Sequence, residues 1–195
     1  MGFTITVFCA SSTRIDQKHV DVATEVGAEL ARRGHDLVTG GGTASCMGAV
    51  SAAARAGGAR TVGVVPAGMP ASQERADGEN DEIVFTADMR SRKAEMDRRA
   101  EAFLVLPGGI GTLEELLEVW TSRSLGMHDK PIVVLDPHGV YAPLRTLMTH
   151  LLDEGFNRER ALAAVTYATD VGAAFDHLEA GRRHFPPTEE EILEA

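Results

Sequence analysis

Two stretches of this sequence place charged side chains beside a glycine-rich turn. Arg92 and Lys93 lie in MRSRK, and Glu115 is the last residue of PGGIGTLEE. Glycines between a strand and a helix let a phosphate approach the backbone, where free N–H groups and the helix dipole attract the anion. A carboxylate and a guanidinium beside a phosphate suit the cleavage of a bond near a sugar phosphate. These residues therefore indicate chemistry on a phosphorylated sugar.

Small residues in three turns are further candidates for contact with a phosphate. They are Ser11, Gly41, Gly42 and Gly108. Simpler explanations stay open, because glycine is common in tight turns, Thr112 and Glu115 match the Thr-x-x-Glu capping box, and Arg92 fits a charged helix surface. The phosphate interpretation is favoured because two of the glycine-rich turns end strands of the same predicted sheet.

Several other kinds of chemistry lack their motifs in this chain. The Walker pattern is absent, and so is the dinucleotide fingerprint, because Ser45 stands where a third glycine would follow Gly40 and Gly42. The seven histidines show no metal-binding spacing with one another or with the cysteines. Cys9 and Cys46 are expected to pack as small apolar side chains. The sequence therefore predicts neither a metal site nor an organic cofactor.

Short apolar runs alternate with amphipathic stretches along most of the chain. Strands are predicted over 5–9, 35–39, 61–65, 83–86, 102–106 and 131–135. Helices are predicted over 17–33, 47–56, 88–100, 141–153 and 171–180, with another that begins at Thr112. Nearly all-apolar strands separated by helices are typical of a parallel sheet with helices on both faces. The predicted fold is a doubly wound, mainly parallel, Rossmann-like α/β fold that binds ligands at the carboxyl ends of its strands.

Length and composition predict the organisation of the chain and limit its partners. It has 195 residues, a net charge of −10 and 44% hydrophobic residues. We expect one domain over residues 1–185, with a long loop over 67–80, and an acidic tail over 186–195. No apolar run approaches the roughly 18 residues of a membrane span, and the first residues do not resemble a secretory signal. A cytoplasmic protein that binds neither membranes nor nucleic acid is therefore expected, since nucleic-acid binding needs a basic surface.

Three groups of residues together resemble one enzyme family. They are the Gly40-Gly41-Gly42 turn followed by Met47-Gly48, the segment MRSRKAEM, and the segment PGGIGTLEELLEVWT. In this order and spacing they resemble the LOG ("Lonely guy") family, whose signature is PGGxGTxxE. The resemblance covers roughly residues 5–156. LOG proteins are cytokinin riboside 5′-monophosphate phosphoribohydrolases.

The resemblance implies an activity, a site and an assembly. The activity is hydrolysis of the N-glycosidic bond of AMP or N6-prenylated AMP, which releases the base and ribose 5-phosphate without a cofactor. The implied catalytic pair is Arg92 and Glu115. The implied substrate contacts are Glu74, Arg92, Lys93, Gly109, Ile110, Gly111, Thr112, Leu113, Glu114, Glu115 and Thr121. Smaller family members are homodimers with sites beside the interface, so we expect a homodimer here.

Two alternatives compete with this function. Members of the family have often been labelled lysine decarboxylases, which need a Schiff-base lysine for pyridoxal phosphate. Of the three lysines, Lys18, Lys93 and Lys130, only Lys93 lies near the predicted site, where Arg92 would compete for the same phosphate. Non-catalytic nucleotide or molybdenum-cofactor carriers share the PGGxGT turn and the fold. The pair of Arg92 and Glu115 favours the hydrolase, because a carrier has no scissile bond for a carboxylate to act on.

Overall fold

Seven parallel strands form one sheet in the computed structural model, which describes residues 2–67 and 80–182. The strands are β1 (Thr4–Phe8), β2 (Asp36–Thr39), β3 (Thr61–Pro66), β4 (Glu82–Thr86), β5 (Ala102–Val105), β6 (Ile132–Leu135) and β7 (Thr166–Ala168). The helices are α1 (Gln17–Arg32), α2 (Ser45–Ala56), α3 (Met89–Arg99), α4 (Ile110–Ser124), α5 (Ala142–Asp153), α6 (Glu159–Ala163) and α7 (Val171–Arg182).

The order of the strands reverses beside β1. The strands lie in the order β4-β3-β2-β1-β5-β6-β7, and β1 pairs in parallel with β2 on one side and with β5 on the other. Connections that leave the sheet in opposite directions at this point open a crevice at the carboxyl ends of β1 and β5. The predicted doubly wound α/β fold is confirmed, and the crevice lies where the glycine-rich segments leave the strands.

Two apolar cores lie on opposite faces of the sheet. Successive residues of a strand face opposite ways, so Val7 of β1 enters one core and Phe8 enters the other. The first core packs against α1, α2 and α7, and the second packs against α3 and α4. Large side chains such as Phe103 and Phe175 are fully buried in them, and each such burial stabilises the fold by roughly 1.5–3 kcal/mol.

The starts of α3 and α4 determine which residues face the crevice. The carboxylate of Asp88 caps α3 by accepting a hydrogen bond from the N–H of Ser91 at 2.7 Å. In contrast, Gly109 caps α4 without a side-chain hydrogen bond, and the helix begins at Ile110. The expected helix start at Thr112 and its capping box are therefore wrong, because Thr112 already lies in the first turn of the helix.

The end of the chain contains elements that were not predicted. The sequence pattern missed α6 and β7, because a five-residue helix and a three-residue strand are too short to show a period. Most of the predicted loop over 67–80 and the whole predicted tail over 186–195 lie outside the described residues. Within residues 2–67 and 80–182, no helix has both the length and the apolar composition needed to cross a bilayer.

Candidate active site

A cavity of about 770 Å³, which we call the main cavity, occupies the crevice at the switch point. Its wall comes from residues 9–12 after β1, 40 and 42–44 after β2, and 107–112 after β5. Side chains of α1, α2, α3 and α4, together with Ile15 and Val140, complete the wall. This volume is within the usual range for a pocket that encloses a small molecule. The main cavity can therefore hold a ligand the size of a nucleotide.

A buried ion pair lies in the wall of the main cavity. Nη1 of Arg92 in α3 donates a hydrogen bond to Oε1 of Glu115 in α4 at 3.0 Å. Nε of the same guanidinium donates to the carbonyl oxygen of Val64 in β3, also at 3.0 Å. Arg92 is 7% exposed and Glu115 is 9% exposed. The guanidinium is thus held in one orientation from two sides, with the carboxylate aligned against it.

The environment of Glu115 changes its acidity. Burial raises the pKa of this carboxyl above its ordinary value, while the positive charge of Arg92 acts in the opposite direction. A carboxylate whose pKa is raised toward neutral pH accepts a proton more readily than an exposed one. Glu115 is therefore placed to act as an anion beside a ligand and also as a base.

The glycines after β2 serve close packing. A Cβ atom added to Gly40 would lie 1.7 Å from Nη2 of Arg92, so only glycine leaves room for the guanidinium. Gly41 has a φ of +74°, and its added Cβ would lie 2.6 Å from Cγ2 of Val65. Gly42 lines the main cavity, and its N–H donates to the sulfur of Met47 at 3.0 Å. This turn therefore shapes the site around Arg92.

Backbone donors without an acceptor lie at the start of α4, in residues that line the main cavity. The first N–H groups of a helix have no acceptor within the helix, and they carry the positive end of its dipole. The N–H groups of Ile110, Gly111 and Thr112 have no acceptor among the described residues, and all three residues line the main cavity. This turn is therefore a ready site for an anion such as a phosphate, next to the carboxylate of Glu115.

Known proteins are similar in sequence to most of this chain. A family described as "Possible lysine decarboxylase" matches residues 47–178. A protein of Mycobacterium marinum named "Cytokinin riboside 5'-monophosphate phosphoribohydrolase" is 50% identical over 160 residues, which are 82% of this chain and 84% of the relative. A Mycobacterium tuberculosis protein of the same name is 46% identical over 169 residues, 87% of this chain and 89% of the relative. The chain belongs to the LOG family.

Solved structures share the fold at low sequence identity. The molybdenum cofactor carrier protein of Chlamydomonas reinhardtii superposes with a TM-score of 0.67 and 22% identity. The match covers 93% of this chain and 98% of the carrier. At that identity, the likeness extends to the fold of this LOG-family protein and not to its ligand.

The lysines of this LOG-family protein do not fit a pyridoxal phosphate site. None of Lys18, Lys93 and Lys130 lines the main cavity. Lys93 forms ion pairs with Glu114 and Glu118, and Lys130 forms one with Asp97 at 2.8 Å. A Schiff base requires a lysine that reaches the bound cofactor. The residues present therefore disagree with the decarboxylase description.

Lys93 lies away from the main cavity, although the family resemblance implies that it contacts substrate. Its ammonium group donates to the carboxylates of Glu114 and Glu118. It lines a second, smaller cavity of about 170 Å³ between α3 and α4, which Glu115 also lines. Lys93 therefore links α3 to α4 through these ion pairs, beside the pair of Arg92 and Glu115.

The other predicted contacts divide into two groups. Ser11, Gly108 and the run 109–112 line the main cavity, together with Glu114 and Glu115. Leu113 packs against the core, and Thr121 is exposed farther along α4. Gly41 is buried outside the cavity wall, and Glu74 lies outside the described residues. A role in substrate binding stays a prediction for the residues of both groups.

Several residues of the site were missed by sequence reasoning. His19 of α1, Met89 of α3 and Val140 before α5 line the main cavity. Tyr141 lies behind the wall of the main cavity, and its hydroxyl forms hydrogen bonds with the backbone of Gly108. A signal was available for the last two, because Asp136-Pro137-His138-Gly139-Val140-Tyr141 follows a strand, at the edge of the sheet where ligands bind.

Proposed function

We propose that this LOG-family protein hydrolyses the N-glycosidic bond of adenosine 5′-monophosphates, with or without an N6 substituent. The products are the free base and ribose 5-phosphate. The observation that carries the proposal is the buried pair of Arg92 and Glu115 beside the unpaired N–H groups at the start of α4. The relatives named above, which are 46–50% identical, support the same reaction.

The pair of Arg92 and Glu115 and the first turn of α4 have separate roles in the proposed reaction. Cleavage of a glycosidic bond builds positive charge on the sugar, and the ionised carboxylate of Glu115 stabilises that charge or takes a proton from the attacking water. Arg92 orients this carboxylate, and the remaining N–H groups of its planar guanidinium can donate hydrogen bonds to ribose or phosphate oxygens. The first turn of α4 binds the 5′-phosphate. The proposal requires neither a metal nor an organic cofactor.

A carrier is the second candidate function. The fold shared with the molybdenum cofactor carrier protein favours it, since a phosphate site alone does not distinguish carriage from hydrolysis. The desolvated carboxylate of Glu115 favours the hydrolase, because burying a charged group is costly and a carrier has no charge on a sugar to stabilise.

Base release from nucleotides distinguishes the two functions. We expect purified protein to release adenine from AMP and the modified base from isopentenyladenosine monophosphate. Adenosine should be a poor substrate, because it lacks the phosphate that the start of α4 binds. The measurement is chromatography of the free base after incubation. Folded protein that binds both monophosphates and releases no base would favour the carrier.

Replacing Gly40 with Ala is expected to disturb the position of Arg92. The new Cβ would lie 1.7 Å from Nη2, so the guanidinium has to move away from Glu115. We expect at least a tenfold lower rate of base release, together with a loss of roughly 1–3 kcal/mol in stability from overpacking. Enzyme kinetics and thermal unfolding measure both effects.

Gly172→Ala is the control for this variant, because a Cβ added to Gly172 has as its nearest contact an ordinary 3.4 Å to Oδ1 of Asp170. Equal activity of the two variants would contradict this role for Gly40.

We also propose that the protein is a homodimer, with α3 and α4 at the interface. Three apolar side chains on these helices are exposed in the protomer: Met89 at 49%, Ile110 at 88% and Leu117 at 39%. Two of them also line the main cavity, so a second copy that covered them would border the site. Such surfaces mark interaction sites when they are contiguous, and two-fold dimers are the commonest soluble assembly.

Light scattering at micromolar concentration tests the dimer. The expected mass is twice the 20.8 kDa of the chain. Leu117→Asp should lower it toward that of the monomer, because the carboxylate would be buried without a partner. Leu147→Asp is the control, since Leu147 is 49% exposed on α5, a helix that is not part of the proposed interface. A wild-type mass of one chain with full activity would refute an interface beside the site.

The proposed cellular setting follows from charge and ligand. We propose a cytoplasmic enzyme whose partners are a small nucleotide and a second copy of itself. A net charge of −10 opposes binding to nucleic acids and to anionic membrane surfaces.

A further inference from the structure

The turn between β6 and α5 holds a tyrosine in a fixed position behind the main cavity. Asp136 directly follows β6, and its two carboxylate oxygens accept hydrogen bonds from the N–H groups of Val140 at 2.9 Å and Tyr141 at 2.8 Å. Tyr141 is 4% exposed, and its ring packs in the core beneath α4. The turn therefore holds the phenol hydroxyl of Tyr141 in a fixed position.

That hydroxyl forms two hydrogen bonds with one residue of the PGGIG segment. Oη of Tyr141 accepts a hydrogen bond from the N–H of Gly108 at 2.8 Å and donates one to the carbonyl oxygen of Gly108 at 3.2 Å. Burial raises the pKa of Tyr141 to about 12, so at neutral pH the phenol keeps the proton that it donates. Gly108 lines the main cavity, but its N–H is already engaged and is not offered to a phosphate.

Gly108 is held from the other side by α4. A Cβ added to Gly108 would lie 2.1 Å from Oγ1 of Thr112, so the backbone rests closely against the first turn of that helix. Gly109, the next residue, is the N-cap of α4. A shift of Gly108 would therefore be transmitted to the N–H groups of residues 110–112. Binding sites need such donors held within roughly 0.5 Å of their working positions.

We propose that Tyr141 is the positioning residue of the phosphate site: it fixes Gly108, and through it the N–H groups at the start of α4. The inference rests on the proposed function insofar as the ligand is a 5′-phosphate. Tyr141 acts through the loop and does not touch the substrate. Loss of its hydroxyl should therefore lower the affinity for the phosphate group, while the contacts of Arg92 and Glu115 are kept.

Tyr141→Phe tests the proposal, because it removes the hydroxyl and keeps the ring. We expect the Kd of AMP, measured by calorimetry, to rise about tenfold, since the buried N–H of Gly108 loses its acceptor and the loop shifts. The KM for AMP should rise equally, whereas kcat should stay within about threefold and the Kd of adenosine should not change. Asp136→Asn, which loosens the turn, should produce a smaller rise in the Kd of AMP.

Tyr167→Phe is the matched control. Tyr167 is the only other tyrosine of the chain, it packs against the same core, and its buried hydroxyl has no hydrogen-bond partner among the described residues. Loss of the Tyr167 hydroxyl should leave the affinity for AMP unchanged. An unaltered Kd for AMP in Tyr141→Phe would overturn the proposal. A parallel loss of adenosine affinity, or an equal loss in Tyr167→Phe, would also overturn it by showing a general effect on the core.

The same titrations separate this proposal from the proposed function. If the wild-type protein binds AMP but releases no base, the hydrolase is wrong, and the difference between AMP and adenosine affinities still tests Tyr141. If the wild-type protein does not bind AMP, there is no phosphate site to position and the proposal fails.

Discussion

Replacing Glu115 with Gln is expected to lower the rate of base release from AMP by roughly 10²–10⁴-fold, the usual range for loss of a catalytic base. The amide keeps the size of the side chain, and its oxygen can still accept a hydrogen bond from Arg92. It carries no negative charge to face the developing sugar cation, and it cannot take a proton from water. Single-turnover kinetics at saturating AMP measure the effect, and thermal unfolding checks that the variant is folded.

Glu118→Gln is the control for this variant. Glu118 lies one turn farther along α4 and pairs with Lys93, but it does not line the main cavity. The pH dependence adds a second readout. Because burial raises the pKa of Glu115, kcat/KM of the wild-type protein should fall as pH drops through that raised value, at a higher pH than for an ordinary carboxyl. Near-native turnover of Glu115→Gln would leave Glu115 with a structural role only.

Replacing Arg92 with Lys is expected to lower turnover at saturating substrate by about 100-fold, although the charge is preserved. The guanidinium uses Nε for Val64 and Nη1 for Glu115 at the same time, both at 3.0 Å. A lysine has one nitrogen on a flexible stem, so it cannot hold the carboxylate while it remains attached to β3. The buried carboxylate of Glu115 would lose its fixed partner, and ribose or phosphate oxygens would lose a planar donor.

Arg98→Lys is the matched control on the same helix. Arg98 is exposed and pairs with Glu95 at 2.7 Å, so its replacement should leave turnover unchanged. A rate for Arg92→Lys within about twofold of wild type would refute the assignment, since even a tenfold change corresponds to only 1.36 kcal/mol.

The fold of this protein follows closely from local patterns in its sequence. Runs such as 102–106 are apolar throughout because a parallel strand is buried on both faces, and this property can be seen without knowing the neighbours of the strand. The elements that escaped prediction, α6 and β7, are too short to display a period. The start of α4 was misplaced because Thr112 and Glu115 match a capping box, whereas the helix begins two residues earlier at Ile110, with Gly109 as its N-cap.

The site was only partly predictable for a related reason. The types of residue were visible, since Arg92, Glu115 and the PGGIG turn stand at strand and helix ends, and a family resemblance assigned them roles. What the sequence could not reveal is which groups meet. The hydrogen bond between Arg92 and Glu115 joins two helices across 23 positions, and that between Gly108 and Tyr141 spans 33.

The sequence by itself determined the doubly wound sheet, the edge at which the main cavity lies and the residue types available there. Only the tertiary structure decided that Glu115 pairs with Arg92 instead of capping a helix, and that Lys93 faces two carboxylates outside the main cavity. Burial patterns repeat locally along a chain and can be read from it. A partner for a buried charge depends on how separate elements pack, because desolvation and distance are properties of the assembled core.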